Sequence, residues 1–280
     1  MHGRKKVKAS AQEVESSRRK ARNYRTVNEH VLKLRAAGDT SPATLEVLKK
    51  VLLANSDSYT LWNYRRELEA NEELELTAAC LRKNPKSYPT WFHREWAVRR
   101  MGAEVARKEL SLCAELLNVD ERNFHCWNYR RVMSELVGED AADFAREKLE
   151  SNFSNYSAFH ELAASLPQKL DADRARQELD LVAQAIFTDP DDQSAWWYAE
   201  CILSRTDDGA VLRAQADALR DLRELEPKAK WPAIALLRVL ARLSDRWTPE
   251  MIELHALLID MDPAHARMYG AVPINNNNYN

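Results

Sequence analysis

Along most of the chain, apolar residues recur three or four positions apart, and short polar stops cut the stretches that carry this rhythm. Such stretches run from Leu74 to Lys83, Leu110 to Leu117 and Leu181 to Phe187, ending at Asn84-Pro85, Asn118-Val119-Asp120 and Asp189-Pro190. Proline lacks the N–H that the next helical turn needs, so Asn-Pro and Asp-Pro close a helix and open a tight turn. Within the first stretch Leu74, Ala78 and Leu81 fall at i, i+4 and i+7, which predicts that they form the core-facing stripe.

After each stop comes a tryptophan-centred phrase. It reads Tyr59-Thr-Leu-Trp62-Asn-Tyr-Arg65-Arg66, then Tyr88-Pro-Thr-Trp91-Phe-His-Arg94, then Phe124-His-Cys-Trp127-Asn-Tyr-Arg130-Arg131. Weaker copies follow at Tyr156 to Phe159, at Ser194 to Tyr198 around Trp196, and at Lys230-Trp231. The anchors recur at about 34 residues, the length of one helix-turn-helix unit. A pair of amphipathic helices cannot hide its apolar face alone, whereas stacked pairs bury it between neighbours. The pattern therefore predicts an all-α protein, an α-solenoid of six to seven helical hairpins. Six pairs are expected from about residue 40 to 245, with a further helix at Pro249 to Asp260. An N-terminal helix is expected over Ala11 to Arg35. The boundaries are a basic arm and helix over 1–37, the solenoid over 38–270, and a polar, disordered Asn-rich tail over 271–280. The second helix of a seventh pair would begin after Asp262-Pro263, so the chain is expected to stop one helix short.

Composition sharpens this. Only six glycines occur in 280 residues, which suits long helices. The formal charge of -2 conceals an asymmetry, because residues 1–35 carry eleven Lys/Arg against three Glu. No aromatic interleaves the charges from Arg4 to Lys8, so a solvated arm or an acidic partner is expected there rather than nucleic acid. Cys80, Cys113, Cys126 and Cys201 are widely spaced, which suggests neither a zinc site nor a disulfide framework but packed, reduced thiols in a cytoplasmic protein. No apolar run is long enough to span a bilayer.

The period also fits the tetratricopeptide repeat, but the small residues that such repeats require for close helix contact are not in register. The phrase Trp-x-x-Arg instead resembles the repeat of protein prenyltransferase α subunits. Within that family the chain looks most similar to the Rab geranylgeranyltransferase subfamily, through Met1 to Lys8, Asn84 to Trp91, Val119 to Trp127 and Phe187 to Trp196. It departs from the larger members, which add immunoglobulin-like and leucine-rich domains. Its fourth and fifth copies carry Leu162 and Ala199 where the phrase expects Arg.

The resemblance implies a heterodimer in which a β subunit holds the zinc and this chain has no complete active site of its own. The reaction implied is transfer of geranylgeranyl from geranylgeranyl diphosphate to C-terminal cysteines of Rab GTPases presented by an escort protein. Lys86 and Tyr88, in the turn before the second copy, stand where the family reaches the diphosphate, and an ammonium and a phenol would stabilise the charge left on the departing oxygens. Asn123 and His125 occupy the same place one repeat later, as candidate substrate-binding residues. His2 could reach an open zinc position in the partner subunit. Pro89 stands where farnesyltransferase-type α subunits carry a Gln that helps read a C-terminal carboxylate, which favours the Rab subfamily over the α subunit shared by farnesyltransferase and geranylgeranyltransferase type I. Trp62, Trp91 and Trp127 are expected between hairpins, and Arg65, Arg94 and Arg130 on carboxylates or carbonyls of the next unit. The competing reading is a non-catalytic helical scaffold that grips peptides or partner proteins.

Overall fold

The computed structural model describes residues 10–69 and 71–270. His2, the rest of the basic arm and the Asn-rich tail lie outside them. The described residues form helices and turns, with no strand among them. The chain divides into two compact units, the first comprising residues up to Val119 with Asn123–Glu139, the second Asp120–Arg122 with the chain from Asp140 on.

In the first unit α1 (Ala11–Ala36) lies on α2 (Pro42–Ala54), and three antiparallel pairs follow: α2 with α3 (Tyr59–Glu67), α4 (Glu73–Lys83) with α5 (Tyr88–Met101), and α6 (Ala103–Val119) with α7 (Phe124–Val137). Equivalent helices stack: α2 on α4, and α3 on α5 on α7. The second unit repeats the plan with α8 (Ala141–Ser151) and α9 (Tyr156–Ser165), α10 (Ala172–Thr188) and α11 (Gln193–Leu203), and α12 (Gly209–Leu225) and α13 (Lys230–Leu243). There α9, α11 and α13 stack in turn. The six expected pairs are thus present, together with α14 (Pro249–Met261). Beyond Asp262-Pro263 a 3-10 turn at Pro263–His265 leads into the short helix α15 (Ala266–Gly270), the last of the described residues.

The turns explain the repeat. Five of the six open with an Asn or Asp whose side chain accepts the backbone N–H two residues on: Asp57 to Asn55, Lys86 to Asn84, Arg122 to Asp120, Ser154 to Asn152 and Asp191 to Asp189. Asn123, Asn155 and Asp192 then cap the second helices. The tryptophans close the same turns. Nε1 of Trp62, Trp91 and Trp196 donates to the carbonyl six residues earlier, on Ser56, Pro85 and Pro190, at 2.8–2.9 Å. Each ring is buried, so one residue both fills the core and fixes the turn.

Two sequence expectations shift. The core stripe of α4 is Leu76, Thr77, Cys80 and Leu81 with Glu73, while Leu74 and Ala78 are only half-buried. The helix rotates because Glu73, polar in the sequence, is drawn inward by buried partners. In the sixth pair Trp231 is the second residue of α13 and half-buried, and Ala233 occupies the register of Trp62. Leu236, Leu237 and Leu240 supply the bulk that a tryptophan provides elsewhere.

Candidate functional site

Within each unit, buried ionic clusters tie helices together. Arg65 is 4% exposed and reaches forward to Glu73 of the next pair, Nη2 to Oε1 at 2.5 Å, and back to the Leu45 carbonyl of its own pair. Arg94 repeats this with a two-pronged bond to Glu109, 2.7 and 2.8 Å, and with the Leu74 carbonyl. Arg130 donates to the Leu110 carbonyl of its own pair. Three buried glutamates are met from a position twenty residues on, by His93 on Glu73, Tyr129 on Glu109 and Tyr198 on Glu178. Burial raises the Tyr129 and Tyr198 pKa values, and the neighbouring carboxylates push them the same way. The sequence reading missed the glutamates, although the constant spacing to a Tyr or His was visible.

This frame holds the turn that carries Lys86. Asn84 Nδ2 bonds both carboxyl oxygens of Asp57 at 3.2 Å, and buried Ser87 donates from Oγ to the Ser56 carbonyl. From the other side the Pro85 carbonyl accepts Trp91 Nε1 at 2.8 Å and Asn123 Nδ2 at 3.3 Å. The turn is therefore tied to the repeats before and after it. Asn123 spends its side-chain oxygen on the Cys126 N–H and is 5% exposed, which makes it a cap and a strut for Pro85.

Lys86 and Tyr88 stand exposed on this turn, Tyr88 at 58%. His125 meets the Tyr88 ring edge-on at 4.2 Å between centroids and lies against Phe124 at 3.9 Å. Burial lowers the His125 pKa, and the charge of Lys86 lowers it further, which keeps the imidazole neutral near pH 7. Lys86, Tyr88, Asn123 and His125 are thus one neighbourhood, with Phe124 as an unforeseen fifth member. Its place as first residue of a second helix, matching Tyr59 and Tyr88, was the available signal. Chemically this is an exposed cation and phenol over a neutral donor ring, a set that suits an anion. Among the described residues no group of three or more His, Cys, Asp or Glu could hold a metal ion.

Paired helices bound by Trp–turn and Arg–Glu contacts, with a basic turn on one rim, define a helical-repeat subunit. A family model described as "Protein prenyltransferase alpha subunit repeat" matches residues 42–69, 70–101, 106–136 and 175–206. The fifth copy is recognised despite Ala199. The chain is 41% identical to the pig (Sus scrofa) geranylgeranyl transferase type-2 subunit alpha, over 76% of this chain and 43% of that protein. It is 34% identical to the Dictyostelium discoideum protein of the same name, over 96% of this chain and 98% of that one. A chain of Candida albicans protein geranylgeranyltransferase-I complexed with GGPP superposes with a TM-score of 0.76 at 20% identity, covering 89% of both chains, which shows the shared fold. The chain belongs to the protein prenyltransferase α-subunit family, alongside the type-2 geranylgeranyl transferase α subunits. It spans less than half the length of the mammalian relatives it matches.

Proposed function

We propose that this chain is the α subunit of a Rab geranylgeranyltransferase, working in the cytoplasm with a β subunit that holds the catalytic zinc. The observation that carries this reading is the rim where Lys86 and Tyr88 stand exposed beside neutral His125 on a turn fixed from both sides. When geranylgeranyl diphosphate ionises at its allylic carbon–oxygen bond, negative charge collects on the departing oxygens. The exposed Lys86 ammonium and Tyr88 hydroxyl stand on the solvent side of the turn, where they would meet those oxygens, while His125 stays uncharged and adds a donor. Holding the turn rigid keeps the two side chains from having to organise during the reaction.

Partner binding has its own support. Tyr59, Tyr88 and Phe124, the first residues of three second helices in the first unit, are 47–58% exposed, a row of large aromatic surfaces that suits burial against another protein. We place the escort protein and its Rab GTPase among the partners on the strength of the family. Four free cysteines suit a reducing compartment. Among the described residues no helix is long and apolar enough to cross a membrane.

The test is co-expression with a type-2 β subunit and an assay of geranylgeranyl transfer to an escort-bound Rab. Lys86→Ala should lower kcat by about a hundredfold, with the heterodimer still formed. Transfer at the wild-type rate would remove Lys86 from the chemistry.

A further inference from the structure

Arg65 and Arg66 are neighbours in the same repeated phrase, yet their surroundings differ. Arg65 is sealed on Glu73. Arg66 has no carboxylate within ion-pair distance among the described residues. Glu95, whose charge acts on it through space, is held by Arg99 at 2.9 Å.

What holds Arg66 is neutral. Its Nε donates to His93 Nδ1 at 3.2 Å and its Nη2 to the Phe92 carbonyl at 3.3 Å. Its guanidinium carbon lies 4.6 Å from the centre of the Phe92 ring and 5.2 Å from that of Trp96, with Arg100 on the same Trp96 ring at 5.2 Å. His93 is itself immobile: it is fully buried, packed 4.5 Å from the Trp62 ring, and bonded through Nε2 to Glu73 Oε2 at 2.5 Å. Because Nδ1 accepts from Arg66, the proton sits on Nε2 and the ring is neutral. A guanidinium offers five N–H donors, of which this arrangement uses two. Phe92 beside it is 53% exposed, one turn along α5 from Tyr88, so the cation sits in an aromatic surface continuous with the rim.

We infer that Arg66, framed by Phe92 and Trp96, is a preformed socket for a carboxylate side chain on the apolar face of the partner β subunit. This rests on the proposed pairing with that subunit and names what the partner must present. The reason is complementarity. Partial burial already lowers the Arg66 pKa from its ordinary value, and covering the patch with an apolar partner would strip the remaining water from an uncompensated charge. An Asp or Glu arriving with the partner would take the unused donors in the planar fork geometry that arginine favours. The aromatic frame and the His93 contact fix the fork beforehand, so little side-chain freedom is lost on docking.

The experiment uses the co-expressed heterodimer with a type-2 β subunit. Arg66→Ala should weaken the measured heterodimer Kd on the order of a hundredfold, and Phe92→Ala, which removes the half-exposed ring that frames Arg66, about tenfold. Arg66→Lys should preserve assembly in part. Treating that complex with a carbodiimide, which couples an amine to a carboxylate in contact, should yield an isopeptide between position 66 and an Asp or Glu of the β subunit in the mass spectrum. Failure of the wild-type chain to bind the β subunit would sink the proposed function itself. Wild-type binding with an unchanged Kd for Phe92→Ala and no cross-link at position 66 would overturn the socket alone, even if Arg66→Ala proved unstable.

Discussion

The buried glutamates are met by different arginines in the two units. In the first, Glu73 and Glu109 take their cation from the second helix of the preceding pair, from Arg65 and Arg94, whose side chains are 4% and 5% exposed. In the second, where Leu162 stands in that arginine's place, Glu178 takes Arg146 from α8 and Arg174 from its own helix α10, at 2.5 and 2.8 Å. Those side chains are 29% and 45% exposed. The constant element is the buried anion and its tyrosine or histidine. The cation's origin is free to move, because the long arginine stem reaches one site from several backbone positions. Losing the phrase at Leu162 and Ala199 therefore did not dissolve the repeat. It moved the charge to the rim of the core.

This contrast breaks down if the two kinds of cluster respond alike to mutation. Arg94→Ala leaves Glu109 buried without its guanidinium, and should cost about 3–5 kcal/mol in urea unfolding. Trp91→Phe keeps an aromatic ring but leaves the Pro85 carbonyl with only the longer bond from Asn123, so a loss of about 1–2 kcal/mol is expected, with greater hydrogen exchange at residues 84–87. Arg146→Ala should cost only about 1 kcal/mol, since Glu178 retains Arg174 and Tyr198 and the lost cation was partly solvated. An equal loss at Arg94 and Arg146 would mean that exposure of the cation does not grade these clusters.

The smallest effect concerns pH. His93 takes the place that Tyr129 and Tyr198 hold in other repeats, and it alone of the three is a base whose ordinary pKa lies near neutrality. Burial lowers its pKa below 6.5, outweighing the opposing pull of Glu73. For Glu73, burial would raise the pKa, but the hydrogen bonds from His93 and Arg65 prevail and lower it. A depressed imidazole pKa gives stability that is present above the ordinary value and is lost as pH falls toward the folded one. The first unit should thus weaken by under about 1 kcal/mol between pH 7 and 6 on this account. His93→Gln, which can still donate to Glu73 and accept from Arg66, should flatten that stretch of the stability profile. An unaltered slope would show that His93 does not titrate there.

Much of the architecture was legible because its signals are local. Pro85 and Pro190 stop helices by their own geometry, and the Trp-x-x-Arg spacing puts both side chains on one helical face wherever the helix packs. The candidate site was legible as a set of residues: Lys86, Tyr88, Asn123 and His125 come together, although Asn123 turns out to be engaged as a cap and strut. Harder to read were positions whose character depends on a distant partner. Glu73 looks like a surface residue until Arg65 and His93 close on it, and its burial rotates α4 away from the stripe that Leu74 and Ala78 suggested. Trp231 failed as an anchor because one repeat fills its core with leucines instead.

By itself the sequence determined the helical pairs, their turns and the rim on which the basic turn stands, since each follows from backbone geometry within a few residues. Only the tertiary structure decided which charges are sealed, which are shared and which are left facing outward. Arg65 and Arg66 are chemically identical and adjacent in the chain. One is spent on Glu73 and the other is held ready by neutral neighbours, because burial and the approach of a carboxylate are properties of packing that no local pattern encodes.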